Sequence, residues 1–136
     1  MPDPRSRALS LVAGISGLYD GLVGACLLLF TRQMAASFGS PPPVPPIFGD
    51  LNAIFLLAVG IGYWLPYRDP VRYRGYLWVM GPILKGAGAL AFVLDYLLRG
   101  SPKMFLLFAA SDGTLALVTL AALLGSRTKE EIQNAK

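Results

Sequence analysis

Four long blocks of apolar residues, separated by short polar segments, dominate the chain. The pattern predicts helices at about 8–30, 47–67, 71–98 and 103–125. Each block is at least as long as the roughly 20 residues that an α-helix needs to cross the hydrocarbon core of a bilayer. None has the alternating apolar and polar positions of a membrane β-strand. We therefore expect an all-α fold, a four-helix transmembrane bundle, with residues 1–136 forming a single membrane domain.

The connection between the first two predicted helices, residues 32–46, is the only long one, and it contains the sequence SPPPVPP. Prolines favour an extended path and exclude a continuous helix. The connection could be a stiff strap that joins the two helices, or a lid over a cavity. In the shorter connections, Asp69 and Ser101 stand directly before prolines, which predicts that they are the N-caps of the third and fourth helices.

Composition supports a membrane protein. The chain is 54% hydrophobic and 15% charged, whereas a typical soluble domain is about 45–50% apolar and about 25% charged. The net charge of +4 comes from residues in the connections and not from a basic run with interleaved aromatics. Nucleic acid is therefore not an expected partner, and the lipid bilayer is.

The distribution of Lys and Arg predicts the orientation in the membrane. Eight of them lie in the N-terminal segment, the second connection and the C-terminal tail, and three lie in the first and third connections. By the positive-inside rule both termini should be cytoplasmic, in a multi-pass protein of a bacterial inner (plasma) membrane. The first block could instead be a cleaved signal peptide, because Arg5 and Arg7 precede it. Its length and Asp20 favour its retention as a helix.

Two residue types are scarce enough to exclude several kinds of chemistry. The chain has one cysteine, Cys26, and no histidine. This excludes an intrachain disulfide, a cysteine-based metal cluster, bis-His haem ligation and a histidine general base. We expect no metal site and no cofactor, and the sequence assigns no catalytic residue.

Apart from the basic residues at the starts of the third and fourth predicted helices, five charged residues lie inside the predicted helices. Each costs about 2.5–3.5 kcal/mol near the centre of a membrane helix, so we expect them to face the interior of the bundle. Counting 1.5 Å per residue from the helix ends puts three near the midplane and two nearer the outer end. The central three are Asp20, Lys85 and Asp112, and the outer two are Asp50 and Asp95.

The sequence GPILKGAG, residues 81–88, surrounds the lysine with residues that make space. Pro82 removes a backbone hydrogen bond, and the glycines leave room for a helix, a water molecule or a ligand. The proline could also serve only to shape the helix. The candidate ligand-binding or proton-relay residues are the five ionisable side chains and one nearby amide: Lys85, Asp20, Asp112, Asp50, Asp95 and Asn52.

These residues have distinct expected roles. Lys85 would be the anchor or proton donor, with Asp20 and Asp112 as its charge partners. Asp50 and Asp95 would form the outer entrance. Four carboxylates cannot all stay charged beside one lysine in a medium of low dielectric constant. The cluster is therefore expected either to bind and exchange protons or to fix helix register as a static salt bridge.

Glycines on the first helix follow a spacing of three, four and three residues. This spacing makes a smooth helix face that allows close approach of another backbone. The face could pack inside the bundle or form a homodimer. Its members are Gly14, Gly17, Gly21 and Gly24.

The sequence FLLAVGIGYWLPYRDPVRYRG, the glycine-rich third span with its lysine, and ASDGTLALV in the fourth resemble small bacterial four-helix membrane proteins of the DoxX-like type. The likeness covers about residues 48–124, and its strongest part is RDP at residues 68–70. The resemblance implies a membrane protein associated with redox partners. It assigns no site residue.

Two functions follow as hypotheses. The first is an integral membrane protein whose charged intramembrane pocket binds a small lipophilic or cationic molecule, with proton-coupled transport or acid–base chemistry as its use. The second is a structural or accessory subunit of a larger membrane complex, which the resemblance implies would be a redox complex. A cavity lined by Lys85 and two aspartates would favour the first. A dry salt bridge would favour the second.

Overall fold

A computed structural model describes the backbone of residues 4–134 and the side chains of residues 6–126. All regular structure in this part of the chain is helical. The α-helices are α1 (Pro4–Leu29), α2 (Thr31–Ser37), α3 (Ile47–Gly62), α4 (Trp64–Arg68), α5 (Arg74–Trp78), α6 (Gly86–Arg99) and α7 (Leu106–Asn134). A π-helical segment, Val79–Lys85, joins α5 to α6, and a 3-10 turn, Lys103–Phe105, precedes α7.

Four helical stretches are long and apolar enough to cross a membrane. They are span 1 (Ser6–Leu29), span 2 (Ile47–Arg68), span 3 (Arg74–Arg99) and span 4 (Lys103–Ser126). The predicted all-α fold with four transmembrane helices is therefore confirmed. Large apolar side chains such as Leu18, Ile61 and Leu117 are more than 60% exposed, as expected for residues that face lipid. The chain is a multi-pass integral membrane protein.

Span 1 and span 2 pack with their backbones in direct contact. A Cβ added at Gly17 would lie 2.8 Å from Cβ of Tyr63, and one added at Gly60 would lie 2.7 Å from the backbone nitrogen of Gly21. An added Cβ at Gly24 would likewise meet the backbone of α3. The glycine face of the first helix therefore packs against span 2 within the chain, because only glycine permits this separation.

The apolar core lies in the half of the bundle that is nearer the second connection. Leu9, Tyr63, Leu77 and Leu123, one from each span, are each at most 2% exposed and belong to one cluster. The Arg74 guanidinium closes this end by donating a hydrogen bond of 2.5 Å to the backbone oxygen of Leu123. The centre of this half of the molecule is thus a buried apolar cluster.

Span 3 is not a uniform α-helix. Pro82 lies inside the π-helical segment, and Lys85 is the last residue of that segment. In an α-helix the proline ring would clash with the carbonyl one turn earlier, and a wider π turn moves that carbonyl away. The predicted proline irregularity is thus accommodated by a change of helix type directly before the lysine.

The connections differ from the sequence prediction in two ways. The first part of the predicted proline-rich loop, 32–46, is helical, because α2 covers Thr31–Ser37 and the prolines begin only at Pro41. The two predicted N-cap residues, Asp69 and Ser101, also do not occupy the N-cap positions, which belong to Tyr73 and Pro102. The Asp69 carboxylate accepts the N–H of Arg72 in a turn that precedes α5, and the Ser101 hydroxyl donates to Asp95.

Candidate functional site

Lys85 joins two carboxylates from different helices in the interior of the bundle. Its Nζ lies 2.6 Å from Oδ1 of Asp20 and 3.3 Å from Oδ1 of Asp112. The side chains of Lys85 and Asp20 are each 4% exposed, and that of Asp112 is 18% exposed. The structure therefore brings together three of the residues predicted for the site. We refer to Asp20, Lys85 and Asp112 as the charged triad.

The local structure of span 3 positions the lysine. Lys85 is at the end of the π-helical segment, and its neighbours Gly86 and Gly88 face span 4, where an added Cβ at Gly88 would be 3.8 Å from Oδ2 of Asp112. A side chain at position 88 would therefore occupy the space beside the carboxylate. Gly88 therefore leaves the space beside the carboxylate open, and Asp112 lies within reach of the lysine.

The triad lines a cavity of about 320 Å³. Charged groups stand on one side of it, and the remaining wall is largely apolar and aromatic. The cavity extends from the triad toward the first and third connections, away from the packed core. Its aromatic wall consists of Tyr19, Phe55, Phe92, Phe105 and Phe108.

The aromatic rings hold one another in place. Phe92 stacks on Phe108 with ring centroids 5.5 Å apart, and Phe38 from the first connection stacks on Phe108 at 4.8 Å. Tyr19 lies with its ring 4.9 Å from Nζ of Lys85, and its hydroxyl is 2.6 Å from that of Ser111. The Tyr19 ring therefore faces the ammonium group while its polar end is already hydrogen bonded.

A second cavity of about 460 Å³ lies beneath the first connection. Residues of α2 and of the proline-rich segment form part of its wall, among them Met34, Phe38 and Pro43. None of its lining residues is charged. We call this the outer cavity and the one beside the triad the inner cavity.

Of the other three predicted site residues, Asn52 lines these cavities and the two aspartates do not. Asn52 lines both cavities. Asp50 lies in the first turn of α3, and Asp95 is 3.1 Å from Arg99 and accepts a hydrogen bond from Ser101. Neither Asp50 nor Asp95 lines the inner or the outer cavity. Asp95 instead pairs with residues at the end of its own helix, and the entrance role of the two carboxylates stays a prediction.

The described side chains offer no metal site. Among residues 6–126, no three His, Cys, Asp or Glu side chains come together in a way that could hold an ion. Within the triad, the lysine ammonium contacts one oxygen of each carboxylate.

The aromatic wall of the inner cavity has no distinct signal in the sequence. Tyr19, Phe92, Phe105 and Phe108 come from three different segments, and each reads as an ordinary apolar residue of a membrane helix. The one feature of the sequence that points to this wall is that Tyr19 directly precedes Asp20, a predicted site residue. The stacking that joins Phe38 of the first connection to span 4 is a tertiary contact that no local pattern predicts.

Comparison with known proteins identifies no relative of this chain. No family model matches the chain, and neither a search of curated proteins nor one of solved structures finds a significant match. The resemblance to DoxX-like proteins thus stays a prediction from the sequence.

Proposed function

We propose that this integral membrane protein binds a small lipophilic or cationic molecule in the inner cavity. The observation that carries the proposal is that a single cavity of about 320 Å³ is lined by the whole charged triad and by several aromatic rings. Ligand sites are typically apolar cavities with a few convergent polar groups. Ionisable residues inside a membrane are costly and usually mark a binding or transport path.

The charge balance of the triad favours a cation. Two carboxylates face one ammonium group, so the triad carries a net charge of −1 when all three groups are ionised. An uncompensated charge in a low-dielectric interior is costly. A bound monovalent cation, or a proton on one carboxylate, would neutralise it. The aromatic faces around the cavity provide additional attraction for an organic cation.

Within this proposal the two aspartates have different roles. Asp20 is the more buried one and has the shorter contact with Lys85, so we assign it to the fixed ion pair. Asp112 is more exposed and lies 3.3 Å from the ammonium, so we assign it to binding the ligand or the exchanged proton. Competition between proton and cation at Asp112 would couple binding to proton movement.

The proposed location is a bacterial inner membrane with the first and third connections on the outer side. The support is the excess of Lys and Arg in the other connections and termini. In this orientation the outer cavity is nearer the extracytoplasmic surface and the packed core is nearer the cytoplasm. A ligand would therefore reach the triad from the outer side.

The test is equilibrium dialysis of the protein in lipid nanodiscs with two ligands of matched shape. Benzyltrimethylammonium carries a charge, and neopentylbenzene replaces its nitrogen by carbon. We expect saturable binding of the cation above the level of empty nanodiscs, and weaker binding of the neutral compound. Equal binding of both would mean that the site recognises shape and apolarity alone.

Mass spectrometry of the protein released from native lipid discs complements the dialysis by identifying co-purified small molecules. Binding of neither probe, together with no co-purified small molecule, would contradict the proposal. That result, with a larger membrane protein co-purified instead, would favour the accessory-subunit hypothesis.

A further inference from the structure

The inner and outer cavities adjoin each other. Four residues line both of them: Leu27, Asn52, Phe105 and Phe108. Since the same side chains form walls of both spaces, no helix lies between the cavities. A ligand that displaces these shared side chains would extend from the charged triad to the underside of the first connection.

The two spaces differ sharply in polarity. The inner cavity contains the charged triad, whereas the polar groups of the outer cavity are few and mostly satisfied. The Thr31 hydroxyl donates to the backbone oxygen of Leu27, and the Ser40 hydroxyl donates to that of Pro41. The outer cavity therefore offers an apolar surface to any occupant.

The segment above the outer cavity is held by specific contacts. The ring of Phe38 stacks on Phe108 and lies 5.5 Å from the ring of Phe105. An added Cβ at Gly49 would be 2.7 Å from Cγ of Pro43, so the start of α3 packs directly against the proline-rich segment. The first connection thus forms a wall of the outer cavity.

From this arrangement we infer that the site is built for an amphipathic monocation, an amine or quaternary ammonium with an apolar tail. The cationic head binds at the triad and the tail lies in the outer cavity. The inference rests on the proposed function for its head site and adds the ligand class and the tail site.

The head and the tail of the ligand contribute differently to binding, because the protein is surrounded by lipid. An apolar group gains little free energy by moving from lipid tails to an apolar cavity, because both environments exclude water. The head must therefore supply the preference for the protein, through the net negative triad. The outer cavity selects ligands by the size and shape of the tail. A tail that fits it does not require the head to leave the triad.

The experiment compares two quaternary ammonium ligands that share a head. Benzyltrimethylammonium has no tail, and benzyldimethyloctylammonium has one. The protein carries Cys26→Ser and Ala35→Cys and is reacted, after purification in nanodiscs, with benzyl methanethiosulfonate. Ala35 lines the outer cavity but not the inner one. Modification after folding places a benzyl group in the outer cavity without any demand on folding.

We expect the modification to weaken binding of the octyl ligand by about tenfold or more, the usual penalty of overpacking an apolar site, and to leave benzyltrimethylammonium binding unchanged. The matched control carries the same modification at a Leu117→Cys position, which is 68% exposed and faces lipid. Partition into the bilayer is the same before and after modification, so it cancels from each ratio.

The outcomes separate the two proposals. Unchanged binding of the octyl ligand after modification at position 35 would overturn the tail site and leave the head site standing. Equal losses for both ligands would also overturn the tail site, because the cavities would then act as one. Failure of the unmodified protein to bind benzyltrimethylammonium, when it binds the octyl ligand with the predicted sensitivity, would contradict the head site alone.

Discussion

At the scale of single residues, the central feature is the unequal pairing of Lys85. Its ammonium is 2.6 Å from the more buried carboxylate, Asp20, and 3.3 Å from the less buried one, Asp112. Removing one member of a buried ion pair strands the other, whereas removing both groups can be nearly neutral. The cost of losing the lysine is therefore mainly the cost of leaving the aspartates without a partner.

Replacement of Lys85 by Met should destabilise the protein by about 3–5 kcal/mol. Adding Asp20→Asn should recover a larger part of the loss than adding Asp112→Asn, because Asp20 has the closer contact and is less able to reach water. Thermal melts of the single and double variants in detergent measure this as a double-mutant cycle. Equal, additive losses in both doubles would contradict the pairing.

Asp95→Asn is the matched control for these carboxylate-to-amide changes. Its partner Arg99 is 81% exposed, and exposed pairs contribute little to stability. The melting temperature of this variant should stay close to that of the unmodified protein. A loss as large as that of Asp20→Asn would mean that the helix end matters as much as the triad.

Two buried hydroxyls lead to a second prediction. Those of Ser16 and Tyr63 lie near each other but neither makes a hydrogen bond within 3.5 Å to a described group, and poorly satisfied buried polar groups are costly. Tyr63→Phe should therefore change the free energy of unfolding by less than about 1 kcal/mol. Leu77→Ala, in the same core cluster, should cost about 2–5 kcal/mol. Melts of the two variants in one detergent provide the comparison, and a larger loss for Tyr63→Phe would show that its hydroxyl is bonded.

At the scale of secondary structure elements, the π-helical segment of span 3 determines where the lysine lies. The segment contains Pro82 and brings Gly81 against Thr119 of α7. A Cβ added at Gly81 would lie 2.5 Å from Cγ2 of Thr119 and 3.0 Å from its Cβ. The approach of span 3 to span 4 therefore depends on the absence of a side chain at this position.

Gly81→Ala should accordingly destabilise the bundle by about 1–3 kcal/mol through overpacking, and Thr119→Ala added to it should restore part of that loss. Gly86→Ala is the control, since its added methyl would meet its nearest neighbour only at 3.9 Å. Thermal melts of the three variants decide the matter. Similar melting temperatures for Gly81→Ala and Gly86→Ala would contradict close packing at Gly81.

Much of this element-scale structure could be predicted from the sequence. The lengths of the apolar blocks gave the four spans, and counting along the helices put Asp20, Lys85 and Asp112 at one level. The sequence did not reveal which carboxylate lies closer to the lysine, because that depends on helix rotation and tilt. Nor did it reveal α2, whose residues lie before the prolines that pointed to an extended loop.

For Asp50 and Asp95, too, the sequence predicts only part of the arrangement. Counting predicts the depth of Asp50 and Asp95 in the bundle but not the direction in which each side chain points. Asp95 turns to Arg99 and Ser101, a local arrangement that was visible in the sequence as an i, i+4 pair. The aromatic wall of the cavity, by contrast, depends on contacts between distant segments.

At the scale of the whole molecule, the two halves of the bundle differ in packing. The half near the second connection contains the buried core of Leu9, Leu77 and Leu123. The half near the first connection contains both cavities. The triad lies at the boundary between them. A ligand that enters from the first connection would therefore meet the triad before it meets the buried core.

The proposed orientation predicts which end is accessible from outside the cell. In a Cys26→Ser background, a cysteine introduced at Ser40 should react with a membrane-impermeant maleimide in intact cells. One introduced at Arg72 should react only after the cells are opened. Gel-shift labelling with a polyethylene glycol maleimide reads out both variants. The opposite pattern would reverse the orientation and put the outer cavity on the cytoplasmic side.

The most direct test of the central claim is the affinity of benzyltrimethylammonium for three forms of the protein in nanodiscs: unmodified, Asp112→Asn and Asp95→Asn. If the charged triad is the binding site, Asp112→Asn should weaken binding by about 2 kcal/mol or more, which is about 30-fold, because the triad then has no net charge. Asp95→Asn should bind as the unmodified protein does. Equal affinities for all three forms would contradict the claim that the triad binds the ligand.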